Sequence, residues 1–367
     1  MASATTSKKY TAISLFSGLG GDSLGLHQAG CEVIAYNELK PKFCESHKAN
    51  FPNCELIRDG KVNDIMKLKD ECFEKYKDKV DILFAGFPCQ GFSNAGKKMP
   101  DDPRNTLFRE FLRAARLIQP SMIIGENVKG LLSRETEEGA RYIDVIVSEF
   151  EKLGYDVKFQ VFKTEKYNVP QKRERLIIIG TKKDNPHGWM PTFPPPSTTK
   201  PNLKGILSYS MEGAVKVDPL WFADIPKECI LINKENVKDY AENNNGHPYL
   251  LSKLNASEEN RSYSDKTHEN LFSFGKRISP IHCEIIDLRQ PAKTIICSYD
   301  HQPRFFVPLQ NGTGSYLRML LPEELKQIQG FPADYKICGS IKEQIVQIGN
   351  AVPPPLIKAI VEAVIKK

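Results

Sequence analysis

The chain has 367 residues, 40% hydrophobic and 26% charged, with a formal net charge of +6 and a pI near 8.7. That apolar content supplies one large core and a smaller second one and excludes a disordered chain, while the basic balance permits a nucleic-acid partner without establishing one. No run approaches the roughly 18 uninterrupted apolar residues of a membrane span, and Met1 to Lys9 lacks the apolar heart of a signal peptide, so a soluble intracellular protein is expected.

From Tyr10 to about Gly180, short apolar runs alternate with amphipathic stretches, the signature of βαβ units on a parallel sheet. A first strand over residues 12–16 opens into Ser17-Gly18-Leu19-Gly20-Gly21-Asp22, then a helix carrying Leu24, Leu26 and Ala29, then a second strand that runs from Glu32 toward Glu38. Glycines after a strand let the backbone approach a ligand at a helix N-terminus, and an acid about 20 residues on can grip a ribose diol. The pattern reads as an adenosine-bearing cofactor site, with tight-turn packing as the plainer use of the glycines. Ser23 in the third glycine position disfavours a nicotinamide cofactor. Asp64, expected at the end of a third strand, is a candidate for the adenine, with Asp59 as its competitor and a helix cap as its ordinary role.

The next strand, over 82–85, stops at Gly86-Phe87-Pro88-Cys89-Gln90, which puts one thiol at the carboxyl end of a strand, where ligands of open α/β sheets sit. A small buried hydrophobe is the alternative use of such a cysteine. A helix is expected over 107–118, a strand over 122–125 leading to Glu126-Asn127-Val128, a helix over 142–153 stopped by Gly154, and strands over 157–162 and 175–180. Arg173 and Arg175 lie two apart at the start of the last of these and therefore on one face of it. Beyond Pro186 the βα period is lost: Phe193-Pro194-Pro195-Pro196 reads as a stiff linker, and residues 243–246 and 257–264 as loops. A helix returns over 322–329 with Gly330 as its stop, and another runs from Pro355 to the end. Nine cysteines, odd in number and without a C-x-x-C pair, argue against a zinc site or a disulfide framework.

Five motifs, Phe16-x-Gly18-x-Gly20, Pro88-Cys89-Gln90, Glu126-Asn127-Val128, Gln171-x-Arg173-x-Arg175 and Gly349-Asn350-Ala351-Val352-Pro353, occur in this order over about residues 10–360. Together they resemble the ordered motifs of the cytosine-C5 DNA methyltransferases. The resemblance implies an α/β fold: a Rossmann-like S-adenosylmethionine domain over 1–185 completed by 345–367, a smaller inserted target-recognition domain over 186–290, and a hinge and support segment over 291–344. It implies Cys89 as the nucleophile toward C6 of cytosine, because thiolate addition turns a poorly nucleophilic C5 into an enamine carbon. Glu126, protonated, would hydrogen-bond N3. Arg175 would hold the base carbonyl, and Arg173 would contact Glu126 or nearby phosphates.

For the cofactor, S-adenosylmethionine, the resemblance implies Phe16, Ser17, Gly18, Leu19, Gly20 and Gly21 at the turn, Glu38 with Leu39 on the ribose, and Asp64 with Ile65 at the adenine. Pro88 and Leu107 would line the cavity, and Asn350, Ala351 and Val352 would close it. Double-stranded DNA is the implied partner, a monomer the expected state, and no metal is needed. The target must be flipped out of the duplex, under a loop over 90–105 in which Gln90, Ser93, Lys97, Lys98 and Arg104 are DNA-contact candidates. A transfer-RNA methyltransferase of the same fold, faintly supported by Gly312-Thr313-Gly314-Ser315, is the rival. A catalytically silent relative is disfavoured by the retained Cys89 and Glu126, and an NAD-linked oxidoreductase by Ser23.

Overall fold

The computed structural model describes residues 9–88, 107–136, 139–234, 246–260, 271–277 and 282–366. Cys89, Gln90, Ser93, Lys97, Lys98 and Arg104 lie outside the described residues.

The first half alternates as its sequence texture requires: β1 (Thr11–Leu15), α1 (Gly21–Gln28), β2 (Glu32–Asn37), α2 (Pro41–Asn50), β3 (Glu55–Leu56), α3 (Glu71–Glu74), β4 (Ile82–Ala85), α4 (Phe108–Ile118), β5 (Met122–Val128), α5 (Tyr142–Lys152), β6 (Tyr155–Lys163), β7 (Gln171–Lys172) and β8 (Glu174–Lys182). Seven of these strands form one sheet in the order β3-β2-β1-β4-β5-β8-β6. Only β8 runs against its neighbours, pairing antiparallel with both β5 and β6. Runs such as Ile82 to Ala85 and Leu176 to Ile179 are buried throughout, as befits strands covered on both faces. Phe111, Ile146 and Phe150 of α4 and α5 pack with Ile13, Leu83 and Ile123 on one face. Leu26 of α1 and Leu356 and Ile360 of α9 (Pro354–Ile365) pack with Ala12, Phe84 and Ile177 on the other.

The second half holds a separate six-stranded sheet, β11 (Phe272–Phe274), β12 (Cys283–Ile285), β14 (Phe305–Asn311), β15 (Gly314–Met319) and β9 (Val215–Val217) in that order, with β10 (Leu231–Ile232) beside β14. Its central hairpin, β14 and β15, falls within 291–344, so this lobe extends past residue 290. The helices α6 (Pro248–Asn260), α7 (Pro322–Ile328) and α8 (Ile341–Asn350) complete the chain before α9. Residues 341–365 are apolar and long enough to cross a membrane by composition, but Ala351, Val352 and Pro353 divide them into two helices, and α9 lies against α1 and the first sheet.

Side-chain amides and guanidinia bind main-chain carbonyls along the seam between the lobes. Strand β13 (Ala292–Lys293) pairs with β7, and Gln171 accepts from Ile295 N at 3.0 Å while donating to Gln329, which in turn donates to Ala351 O. Both glutamines are fully buried, so each amide bond they make is one the solvent cannot replace. Within the second lobe, Arg318, also fully buried, forms a two-pronged pair with Glu324 at 2.7 and 2.8 Å and spends its other donors on Ser208 O, Ser210 O and Met319 O.

Two expectations for site residues change here. The third strand is Glu55–Leu56, so Asp64 does not end it; Asp64 caps the short 3-10 turn Ile65–Lys67, accepting from Met66 N. Strand β1 ends at Leu15, and Phe16 turns out of it with φ 56°, because the chain must reverse into the glycine turn there.

Candidate active site

The carboxyl ends of β1, β2, β4 and β5 converge on one edge of the first sheet, and Phe16, Glu38 and Glu126 stand at those ends. At β5, Glu126 is nine-tenths buried and its Oε1 lies 2.7 Å from Arg175 Nε. The antiparallel register places Val128 opposite Arg175 and Glu126 opposite Ile177, so the arginine reaches back along the strand to the acid. Burial weighs against the Arg175 charge, and Glu126 offsets it. Glu126 Oε2 faces Gly86, three residues before Cys89.

Asn127 holds the main chain just before Pro88-Cys89. Its Nδ2 donates to Phe87 O at 3.0 Å and its Oδ1 accepts from Val128 N at 2.8 Å, so the strand bearing the acid also fixes the main chain leading into Pro88-Cys89. Sequence reasoning placed Asn127 in a motif without assigning it this task; its type and its position at a strand end beside a turn were the available signal.

The expected role of Arg173 is corrected. It is 4% exposed, donates to Ile295 O and Gly349 O at 3.0 Å each, and makes neither a hydrogen bond with Glu126 nor an approach to solvent where a phosphate could lie. The cause is a break in the strand: Arg173 belongs to neither β7 nor β8, so the alternation that would have put both arginines on one face does not run through it. Burial and the like charge of Arg175 both work against its ionisation, and its position clamps the closing segment 349–352 to the sheet.

At the glycine turn, Glu38 is buried with both oxygens engaged: Oε2 accepts from Gly18 N and Oε1 from Lys40 N, each at 2.8 Å. Desolvation raises its pKa, and these two amides oppose the shift. Gly18, at φ 57°, has open space where a Cβ would be, and among the described residues Leu19 N and Gly18 O carry no hydrogen bond. A carboxyl beside an open turn with an unpaired amide fits the ribose hydroxyls and the methionine end of S-adenosylmethionine. Asn37 donates to Ile57 O and Asn63 O at 3.0 Å, which draws Asp64 and buried Ile65 toward the end of β2. Leu39 is 59% exposed; Leu107, expected as the first helical residue, caps α4 and packs in the core with Ile65 and Phe87.

Gly21 answers to packing. A Cβ there would stand 2.0 Å from Val352 O, whose side chain also approaches Gly86. Gly21→Ala is therefore expected to push residues 351–353 off the turn and weaken S-adenosylmethionine binding more than tenfold, with a lowered melting temperature. Calorimetric titration and a thermal melt check both; normal affinity in the variant would contradict this closure. Asn350, expected beside Val352, is exposed and bonds only Val346 O among the described residues.

The C-5 cytosine-specific DNA methylase family matches residues 10–366. The chain is 33% identical over 363 residues to Type II methyltransferase M1.HphI of Haemophilus parahaemolyticus, covering 97% of this chain and 87% of that one. It is 32% identical over 370 residues to Type II methyltransferase M.PspPI of Psychrobacter, covering 98% and 80%. A DNMT2 mutant of Spodoptera frugiperda has the same fold, with a TM-score of 0.64 at 16% identity over 97% of this chain and 99% of that one. A match that runs from the first strand to the last helix takes in both the acid at β5 and the closing segment, and by it this chain belongs to the C-5 cytosine-specific DNA methylase family.

Proposed function

We propose that this chain, a cytosine-C5 DNA methyltransferase using S-adenosylmethionine, acts as a monomer on a short site in double-stranded DNA and divides the reaction among the residues of the β4 and β5 ends. The observation that carries the division is the Glu126–Arg175 pair at 2.7 Å, set beside the main chain that Asn127 holds at Phe87, two residues before Cys89.

In this reading the target nucleotide leaves the stack at a cost of a few kcal/mol. Cys89, as thiolate, adds to C6. Glu126 holds a proton at N3 and so neutralises the charge driven into the ring, and Arg175 orients both Glu126 and the base carbonyl. When bound, S-adenosylmethionine supplies an electrophilic methyl group, held by Glu38, the turn 16–21 and Val352. A base then takes the C5 proton, Cys89 departs, and the N3 proton returns to Glu126. The two bacterial relatives carry Type II methyltransferase names, which supports a short recurring target within a restriction-modification pair.

The test is methylation of unmodified duplex DNA and of transfer RNA by the purified protein, followed by bisulfite sequencing. Methylcytosine at one recurring duplex site is expected. Modification confined to RNA would overturn the substrate assignment.

A further inference from the structure

The glycine turn is held from two sides, and the second side belongs to the other lobe. Leu19 and Leu24 pack in the same core as Phe331, Tyr335, Ile345 and Ile348, apart from the rest of the first sheet. Tyr335 is 5% exposed and its hydroxyl donates to Leu19 O at 2.8 Å. On the other side of that peptide, Gly20 N donates to Ser17 O at 2.8 Å. The Leu19–Gly20 peptide plane is thus pinned at both ends, and with Gly18 N held by Glu38 the main chain is anchored on both sides of the Leu19 amide, which has no partner among the described residues. Gly20 makes room for this contact: a Cβ there would lie 2.9 Å from the Tyr335 hydroxyl. Tyr335 is itself located by Lys326, a buried cation whose Nζ donates to Tyr335 O at 2.9 Å and to Ala333 O at 2.7 Å.

We propose that Tyr335 is a positioning residue for the cofactor: through Leu19 O it aims the Leu19 amide at the carboxylate of the bound methionine moiety. Lys326 and α7 thereby make the cofactor turn depend on the second lobe. Removing the hydroxyl leaves a buried carbonyl without its donor and lets the peptide rotate, while the phenyl ring keeps its packing against Phe331, whose centroid lies 4.7 Å away.

This inference rests on placing the cofactor at the glycine turn, so the test carries a control for that placement. S-adenosylmethionine and S-adenosylhomocysteine are titrated into the wild type, Tyr335→Phe and Glu38→Ala, with DNA affinity measured separately without cofactor. Tyr335→Phe is expected to weaken both ligands about tenfold and raise the cofactor KM rather than lower kcat, with DNA affinity unchanged. Unchanged cofactor affinity in Tyr335→Phe alongside loss in Glu38→Ala overturns the role of Tyr335 alone. Equal loss of cofactor and DNA affinity in Tyr335→Phe also overturns it, as general loosening. Undiminished binding in both variants overturns the placement of the cofactor itself.

Discussion

Cys89→Ser is expected to abolish methyl transfer while S-adenosylmethionine binding stays within about twofold of wild type. A serine hydroxyl is far less acidic than a thiol and a much weaker nucleophile, so addition to C6 fails at the first step. The proposed cofactor site loses nothing, because the walls proposed for it are the glycine turn, Glu38 and the closing segment, and the chain leading into residue 89 is held by Asn127 from the neighbouring strand. Glu126→Gln is the companion: it removes the acid but leaves an amide that can still hydrogen-bond, and kcat should fall about 10²–10⁴-fold. Transfer of a tritiated methyl group to duplex DNA reads both. Turnover near wild type in the serine variant would remove the nucleophile from the scheme, and an undiminished kcat in the glutamine variant would remove the acid.

Asp22→Asn should make the protein markedly more stable above pH 7 and should change how stability depends on acid. Asp22 is buried in the first turn of α1 with a hydrogen bond from Ser14, and burial, with a smaller contribution from Glu126, pushes its carboxyl up from 3.8 to about 7. A carboxyl raised on folding is destabilising wherever it must ionise: the native state holds a proton the unfolded state has lost, so stability falls as pH rises from about 4 to about 7 and stays lowered above that. The shift corresponds to an order-of-magnitude 4 kcal/mol at pH 8, less than half of which remains at pH 5. His47 works in the opposite sense. Buried under Tyr36, with ring centroids 3.7 Å apart, it is pushed down from 6.5 to about 3, so the unfolded state takes up a proton below pH 6.5 that the native state refuses. Between about pH 4 and 6.5 the two effects cancel in the wild type. The asparagine variant loses the cancellation and should become progressively less stable below pH 6.5. Urea unfolding at pH 5, 6.5 and 8 measures this; parallel dependences in variant and wild type would show that Asp22 does not hold its proton.

Where a strand is long and closed in, its residues announce it: β4 occupies 82–85 as the apolar run before Gly86 requires, and β5 only extends past its expected end through Glu126 and Asn127 to Val128. The second sheet was illegible for a physical reason. Strands β9, β11 and β12 have three residues each and β10 two, too few for a period-two pattern to show, and β9 and β10 pair with β15 and β14 from far along the chain. Helix α8 did carry a signal that went unread, the capping box in which Ser340 accepts from Glu343 N and Glu343 accepts from Ser340 N. In the site, the residue types were legible and the pairings were not. Whether Glu126 meets Arg173 or Arg175 turns on the interruption between β7 and β8, and that interruption follows from β13 and the 295 and 349 carbonyls arriving from elsewhere.

The wall that Val352 forms against Gly21, and the helix behind it, are made of the residues the ribosome adds after everything they touch. While the chain grows, β1, α1 and the glycine turn emerge first and wait, with one flank of the sheet uncovered, through the synthesis of the whole second lobe. With the cofactor placed as proposed, a chain made only as far as α7 already has Glu126 and Cys89 in its sequence yet lacks the residues that shut the turn.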